Sequence, residues 1–207
     1  MEMPDRLQAR TFNEVRYYLL VTPCPQCGKG PWEIDSDDAG GGQHLVVAHC
    51  RNCRHAERFR VDCEHPDAGG EPINPSDEPS RLIDLSQWMS LFYLLLEQAS
   101  RATPKAQARL LGYRAALCLA EALKFFPLGE LTPPESAFFS PAGRTAFREH
   151  PENFARPRLL DMQSRLPALP KMAGSVRRDR AADRPRRPWW KFWKRPRPTP
   201  PQEPDDA

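Results

Sequence analysis

Pro23-Cys24-Pro25-Gln26-Cys27-Gly28 and, with 22 residues between Cys27 and Cys50, Cys50-Arg51-Asn52-Cys53 decide how the first third of the chain folds. Two thiolates at this spacing bind one ion because the tight turn between them aims backbone amides at the sulfurs. Gly28 then lets the chain turn sharply away, through a conformation that side chains resist. The second pair completes a four-sulfur set: Cys24, Cys27, Cys50 and Cys53. The interval between pairs slightly exceeds the usual ~15–20 residues. Asp35 to Gly42 (DSDDAGGG), read as a turn rich in glycine, absorbs the excess. Four thiolates leave a tetrahedral zinc no open position, so the ion is expected to be structural rather than catalytic. Iron held as in rubredoxin is the alternative, because the same ligands suit it. A thioredoxin-like redox pair fits less well, since neither CxxC opens a βα unit.

Outward from the cysteines, Phe12 to Thr22 is rich in aromatic and β-branched residues, and its second half predicts a strand leading into Pro23. Trp32–Ile34, His44–His49 and Glu57–Val61 predict three more. Together they make a small antiparallel sheet with a metal at one end, over residues 11–65, after a frayed start at residues 1–10. The paired cysteines, Gly28 and the flanking strands resemble the zinc ribbon family over about residues 12–62. That resemblance implies one structural zinc and a partner that is nucleic acid or protein. Arg54 departs from it, standing where a glycine often follows the second pair, which implies a less regular second turn. Cys63 and His65 read as an ordinary strand-end cysteine and a surface histidine. His44, His49 and His55 lie near the metal in sequence, with no partner visible there.

Residues 66–80 form a Pro/Gly-rich linker, and past it the periodicity becomes helical. Leu85, Trp88, Met89, Phe92, Leu95, Leu96 and Ala99 recur at three- and four-residue spacing, with Asp84 and Gln87 placed as a reciprocal cap. Thr103 and Pro104 fit the N-cap and first position of a second helix. Its apolar face runs through Leu110, Tyr113, Leu117 and Ala120, widened by Leu111, Cys118, Ala122 and Phe125. Cys118 reads as a small core hydrophobe, and Glu121 with Lys124 as a surface ion pair. The resulting hairpin, residues 84–126, needs a further surface to pack on. Residues 81–167 are read as one helical domain, with short helices near 140–149 and 156–165. Phe138, Phe139, Phe147, Phe154, Leu159, Leu160 and Met162 are its expected docking residues. The fold class expected is α+β.

Residues 168–207 read as a disordered basic tail, because high charge and many prolines leave too little surface to bury. From Lys171 to Pro198 eleven Lys/Arg stand against Asp179 and Asp183, while the last nine residues carry Glu203, Asp205 and Asp206. The net charge of +3 therefore comes from the tail, and residues 1–170 are mildly acidic, which weakens the case for nucleic acid binding by the folded part. Within the tail, Trp189, Trp190, Lys191, Phe192, Trp193, Lys194 and Arg195 put four aromatic rings among cations. Three partners suit such a run: an anionic membrane surface, a groove on a protein, or single-stranded nucleic acid. No apolar run is long enough to span a bilayer and no secretory leader is visible, so a cytoplasmic protein is expected, peripheral to the membrane if the tail meets lipid. No phosphate loop, GxSxG or HExxH occurs. The expectation is a non-enzymatic zinc-binding adaptor or scaffold that docks an unidentified protein partner. A nucleic-acid-binding zinc protein is the alternative.

Overall fold

The computed structural model describes residues 6–40, 42–65 and 73–182. The fold is α+β, a four-stranded sheet followed by helices. Strand β1 (Arg6–Ala9), helix α1 (Phe12–Val21) and strands β2 (Trp32–Gly40), β3 (Gln43–Cys50) and β4 (Ala56–Cys63) build the first part. The sheet order is β1-β4-β3-β2. Strands β2, β3 and β4 pair antiparallel, but β1 pairs parallel with β4, so the sheet is mixed rather than purely antiparallel. Residues 6–10 are thus no frayed start: Leu7 and Ala9 alternate inward and are buried beside Val46, Phe59 and Val61.

The strand expected in Phe12–Thr22 is a helix. Thr11 is the N-cap and accepts a hydrogen bond from Glu14 N, while the Glu14 carboxylate accepts from Arg10 N, one residue before the cap, at 2.6 Å. Val15 and Leu19, four residues apart, then face the sheet core. Burial on that face overrides the strand preference of Val15, Tyr17 and Tyr18. The turn expected at 35–42 is also shorter. Strand β2 runs on to Gly40, with an irregularity between Ile34 and Ser36, and Gly40 pairs with Gln43 across a turn where Gly42 takes φ 85°.

Helices α2 (Leu85–Arg101) and α3 (Lys105–Leu123) form the expected hairpin. The Asp84 carboxylate caps α2 through Gln87 N, and Gln87 returns the bond to Asp84 N, both at 2.9 Å. Pro104, not Thr103, is the N-cap of α3 and supplies no side-chain bond. Trp88, Leu91, Leu95, Leu111, Cys118 and Leu119 meet in the buried seam. Helices α4 (Pro141–Glu149) and α5 (Arg156–Ser164) sit where the sequence puts them, and Phe138, Phe154 and Leu159 are buried against the hairpin. Phe139 and Leu160 are not: both remain about 40% or more exposed, at 40% and 44%. The fully buried Asp84 also accepts from Ser140 N at 2.9 Å and from its hydroxyl, while Ser140 caps α4.

Disorder expected from 168 onward is replaced over Leu169–Ala182 by helix α6. Leu169, Met172, Ala173 and Val176 form a stripe on Leu110, Tyr113 and Leu117 of α3, and Arg109 holds Asp179 through two hydrogen bonds of 2.7 Å. A face of α3 that needed covering thus receives a helix that composition alone argues against. Residues beyond 182, with the Trp-rich run, and linker residues 66–72 lie outside the described residues. No described helix is long and apolar enough to cross a membrane.

Helix α1 joins the two parts: Tyr17, Tyr18 and Val21 pack on the helical core, and Tyr17 meets Trp88 at 5.8 Å between ring centroids. The Ile73–Ser80 stretch of the linker is anchored here, with Ile73 buried and Thr11 donating to its carbonyl. Glu121 and Lys124 do not form a surface pair. Glu121 is 3% exposed, and Lys124 Nζ lies 2.9 Å from its carboxylate while also donating to the carbonyls of Asn74 and Ser76. Burial pushes the Glu121 carboxyl up to about 7.

Candidate metal centre

Two loops with the same hydrogen-bond pattern carry the four sulfurs. In the first, Gly28 N donates to Cys24 O at 2.8 Å and Cys24 N to Lys29 O at 2.6 Å. In the second, Arg54 N donates to Cys50 O at 2.9 Å and Cys50 N to His55 O at 2.8 Å. Gly28 has φ 67° and Arg54 φ 66°, so Arg54 takes the left-handed conformation that a glycine would supply. The irregular second turn implied at Arg54 is not seen. Its guanidinium donates to His49 Nε2 at 2.6 Å.

The first loop descends from α1 past Pro23, and Trp32 pins its approach by donating to Thr22 O at 3.0 Å while its ring meets Phe59 edge-on. The second loop is the β3–β4 connection. Cys24 and Cys50 are buried at 1% and 0% exposure, continuous with the sheet core, whereas Cys53 lies at the surface.

All four Sγ atoms lie within 4.8 Å of one another. The Cys24–Cys53 and Cys27–Cys50 sulfur separations are 3.6 and 3.7 Å. A tetrahedron with metal–sulfur bonds of ~2.3 Å has edges of about 3.8 Å, so these separations suit one tetrahedral ion. The local field points the same way. The Lys29 backbone N–H lowers the Cys27 thiol to about 6. The His55 N–H favours the Cys53 thiolate, yet the crowding of Cys27, Cys24 and Cys50 drives the Cys53 thiol up to about 12. Four sulfurs this close cannot all ionise without a cation among them. The group can hold a metal ion, and its all-sulfur chemistry suits zinc or iron rather than magnesium or calcium.

Among the described residues no other set of three histidine, cysteine or acidic side chains converges in this way. Cys63 stands apart, its thiol pushed up to about 11 by burial, and Cys118 is enclosed in the helical core. The histidines do have partners. His44 meets Asp37 at 2.8 Å, His49 meets Asp35 at 2.7 Å and His55 meets Glu57 at 3.1 Å. The first two are cross-strand pairs created by the β2–β3 register, so Asp35 and Asp37 are strand residues rather than parts of a solvated turn. Sequence reasoning also missed the amides of Lys29 and His55, although both follow a CxxC at the same offset. Trp189, Trp190, Lys191, Phe192, Trp193, Lys194 and Arg195 lie outside the described residues.

No family model, curated protein or solved structure matches this chain at a significant level.

Proposed function

We propose that this chain is a non-enzymatic adaptor in which one zinc ion, held by Cys24, Cys27, Cys50 and Cys53, staples the sheet to its two loops. The closed four-sulfur arrangement carries this reading: every ligand position of a tetrahedral ion is taken by protein, which leaves none for a substrate. When bound, the ion supplies a crosslink and neutralises the thiolates. The chain's own contribution is to aim the Lys29 and His55 amides at sulfur and to bury Cys24 and Cys50. Two loops with matched hydrogen bonds, one leading into β2 and one joining antiparallel β3 and β4, also support the zinc ribbon reading, with β1 and α1 as departures from it.

Function then belongs to surfaces away from the metal, and the proposed partner is a protein. The Trp189–Trp193 run is the proposed second contact, with an anionic membrane surface or with that partner, in a cytoplasmic setting. Metal analysis of reduced, natively purified protein is expected to find about one zinc per chain. Stoichiometric iron would replace zinc in the reading, and absence of both metals would overturn it. Co-sedimentation with phosphatidylserine vesicles is expected to drop on Trp189/Trp190/Trp193→Ala; equal binding by both forms rejects the membrane contact.

A further inference from the structure

A cleft of about 870 Å³ opens between α1, β2, α3 and α6 and involves none of the cysteines. Its floor is apolar, from Leu19, Leu95, Leu110, Leu117 and Val176, and Leu20 stands at its edge 41% exposed. Three exposed arginines reach it from three different helices: Arg16 from α1, Arg114 from α3 and Arg180 from α6. Among the described residues none of the three forms an ion pair; Arg16 instead lies over the Phe12 ring at 5.3 Å. The acids on the opposite wall are already engaged, Asp37 by His44 at 2.8 Å and Glu33 by Arg51 at 3.4 Å. An apolar trough is thus bordered by three cations that have no carboxylate of their own among the described residues.

We propose that this cleft docks an acidic segment of a protein partner, with one or more large apolar side chains in the trough and Asp or Glu against Arg16, Arg114 and Arg180. The inference rests on the adaptor reading and names the chemistry of its partner. Such a site matches the usual anatomy of a recognition groove, in which apolar burial supplies affinity and rim charges supply orientation and encounter rate. Single-stranded nucleic acid fits less well, because base stacking needs an open aromatic face. Phe12 is covered by His44, stacked at 4.4 Å, and by Arg16, while Trp32 and Tyr113 are only 4% and 6% exposed. The chain's own segment 184–197, with seven Arg/Lys and no acid, has the same sign as the rim and is disfavoured.

The test is selection from a random-peptide display library on the full-length, zinc-loaded chain. The comparison protein is Arg16→Glu/Arg114→Glu/Arg180→Glu, whose exposed positions leave the core untouched. Enriched peptides are expected to place Asp or Glu around Leu, Phe or Trp. Their binding should weaken as salt rises and fall at least about tenfold on charge reversal. Leu20→Asp, at the trough edge, should also weaken the same peptides. The proposal is overturned by no enrichment, by enriched peptides lacking acidic residues, or by equal binding to the reversed protein. Arginine-dependent binding of an oligouridine probe in place of any peptide would likewise overturn it and assign the cleft to nucleic acid. Zinc content and melting temperature, measured on the same preparations, separate this failure from failure of the zinc reading.

Discussion

Cys53→Ser is the cleanest perturbation of the metal centre, because Cys53 is at the surface whereas Cys24 and Cys50 are in the sheet core. Serine at position 53 leaves the packing intact and removes one of four ligands. An ion bound only by the folded state stabilises it by RT ln(1 + [Zn]/Kd), so raising free zinc from Kd to 100 Kd adds about 2.3 kcal/mol. In a chain of this size each kcal/mol is worth about 2–4 °C, so the wild-type midpoint should climb by about 5–9 °C over that range. A structural zinc contributes about 10–16 kcal/mol of binding; one ligand in four is then about 2.5–4 kcal/mol, or two to three decades in Kd. The same climb in Cys53→Ser should therefore begin at free zinc about two to three decades higher. Without zinc the two proteins should unfold within about 0.5 kcal/mol of each other, as surface substitutions do. The assay is thermal unfolding in zinc buffers under reducing conditions, with amide exchange at Gly28 and Arg54 as the local readout. A wild-type midpoint that ignores zinc refutes the reasoning, and so does a zinc-free Cys53→Ser already several kcal/mol weaker.

The two loops should respond to glycine with opposite signs. Arg54→Gly relieves a left-handed backbone costing about 1–2 kcal/mol and forfeits about 0.4–1 kcal/mol through the freer unfolded chain, so urea unfolding should show a gain of about 0.5 kcal/mol. Gly28→Ala, with open space around the added carbon but φ at 67°, should lose about 1 kcal/mol in the same assay. Asp84→Ala removes the α2 cap and also strands the Ser140 N–H and hydroxyl, and should cost about 3 kcal/mol; a loss under 1 kcal/mol would mean that the shared carboxylate is not needed. Glu121 has its folded carboxyl raised from 4.5 to about 7, so the folded state holds this proton more tightly than the unfolded chain does. Its contribution is full below about pH 4.5 and lost by about pH 7, up to about 3 kcal/mol. Glu121→Gln should flatten that part of the stability–pH curve, and curves that stay parallel would refute the assignment.

Some of the molecule was legible because the signals are local. A thiolate pair two residues apart can do little but close a turn around an ion, and Asp84 with Gln87 can cap a helix wherever the chain goes. Ser140-Pro141 and Arg156-Pro157 likewise start α4 and α5 within a residue of the sequence reading. Phe12–Val21 misled because local composition favours a strand, while the outcome depended on whether Val15 and Leu19 had a sheet face to cover. Strand β1 misled for the reason that the strand it pairs with, β4, lies more than fifty residues away.

Sequence by itself determined the four-sulfur set, the capped helical hairpin and the α+β class, since each follows from spacing, capping chemistry or periodicity within a short window. Only the tertiary structure decided the parallel β1, the burial of Glu121 under Lys124, the histidine–carboxylate pairs and α6 in place of disorder. It also decided the cleft to which α1, α3 and α6 bring Arg16, Arg114 and Arg180, successive positions 98 and 66 residues apart in the chain. Each of these depends on which distant surface a segment meets, and the free energy of that meeting exceeds the local preference that a sequence displays.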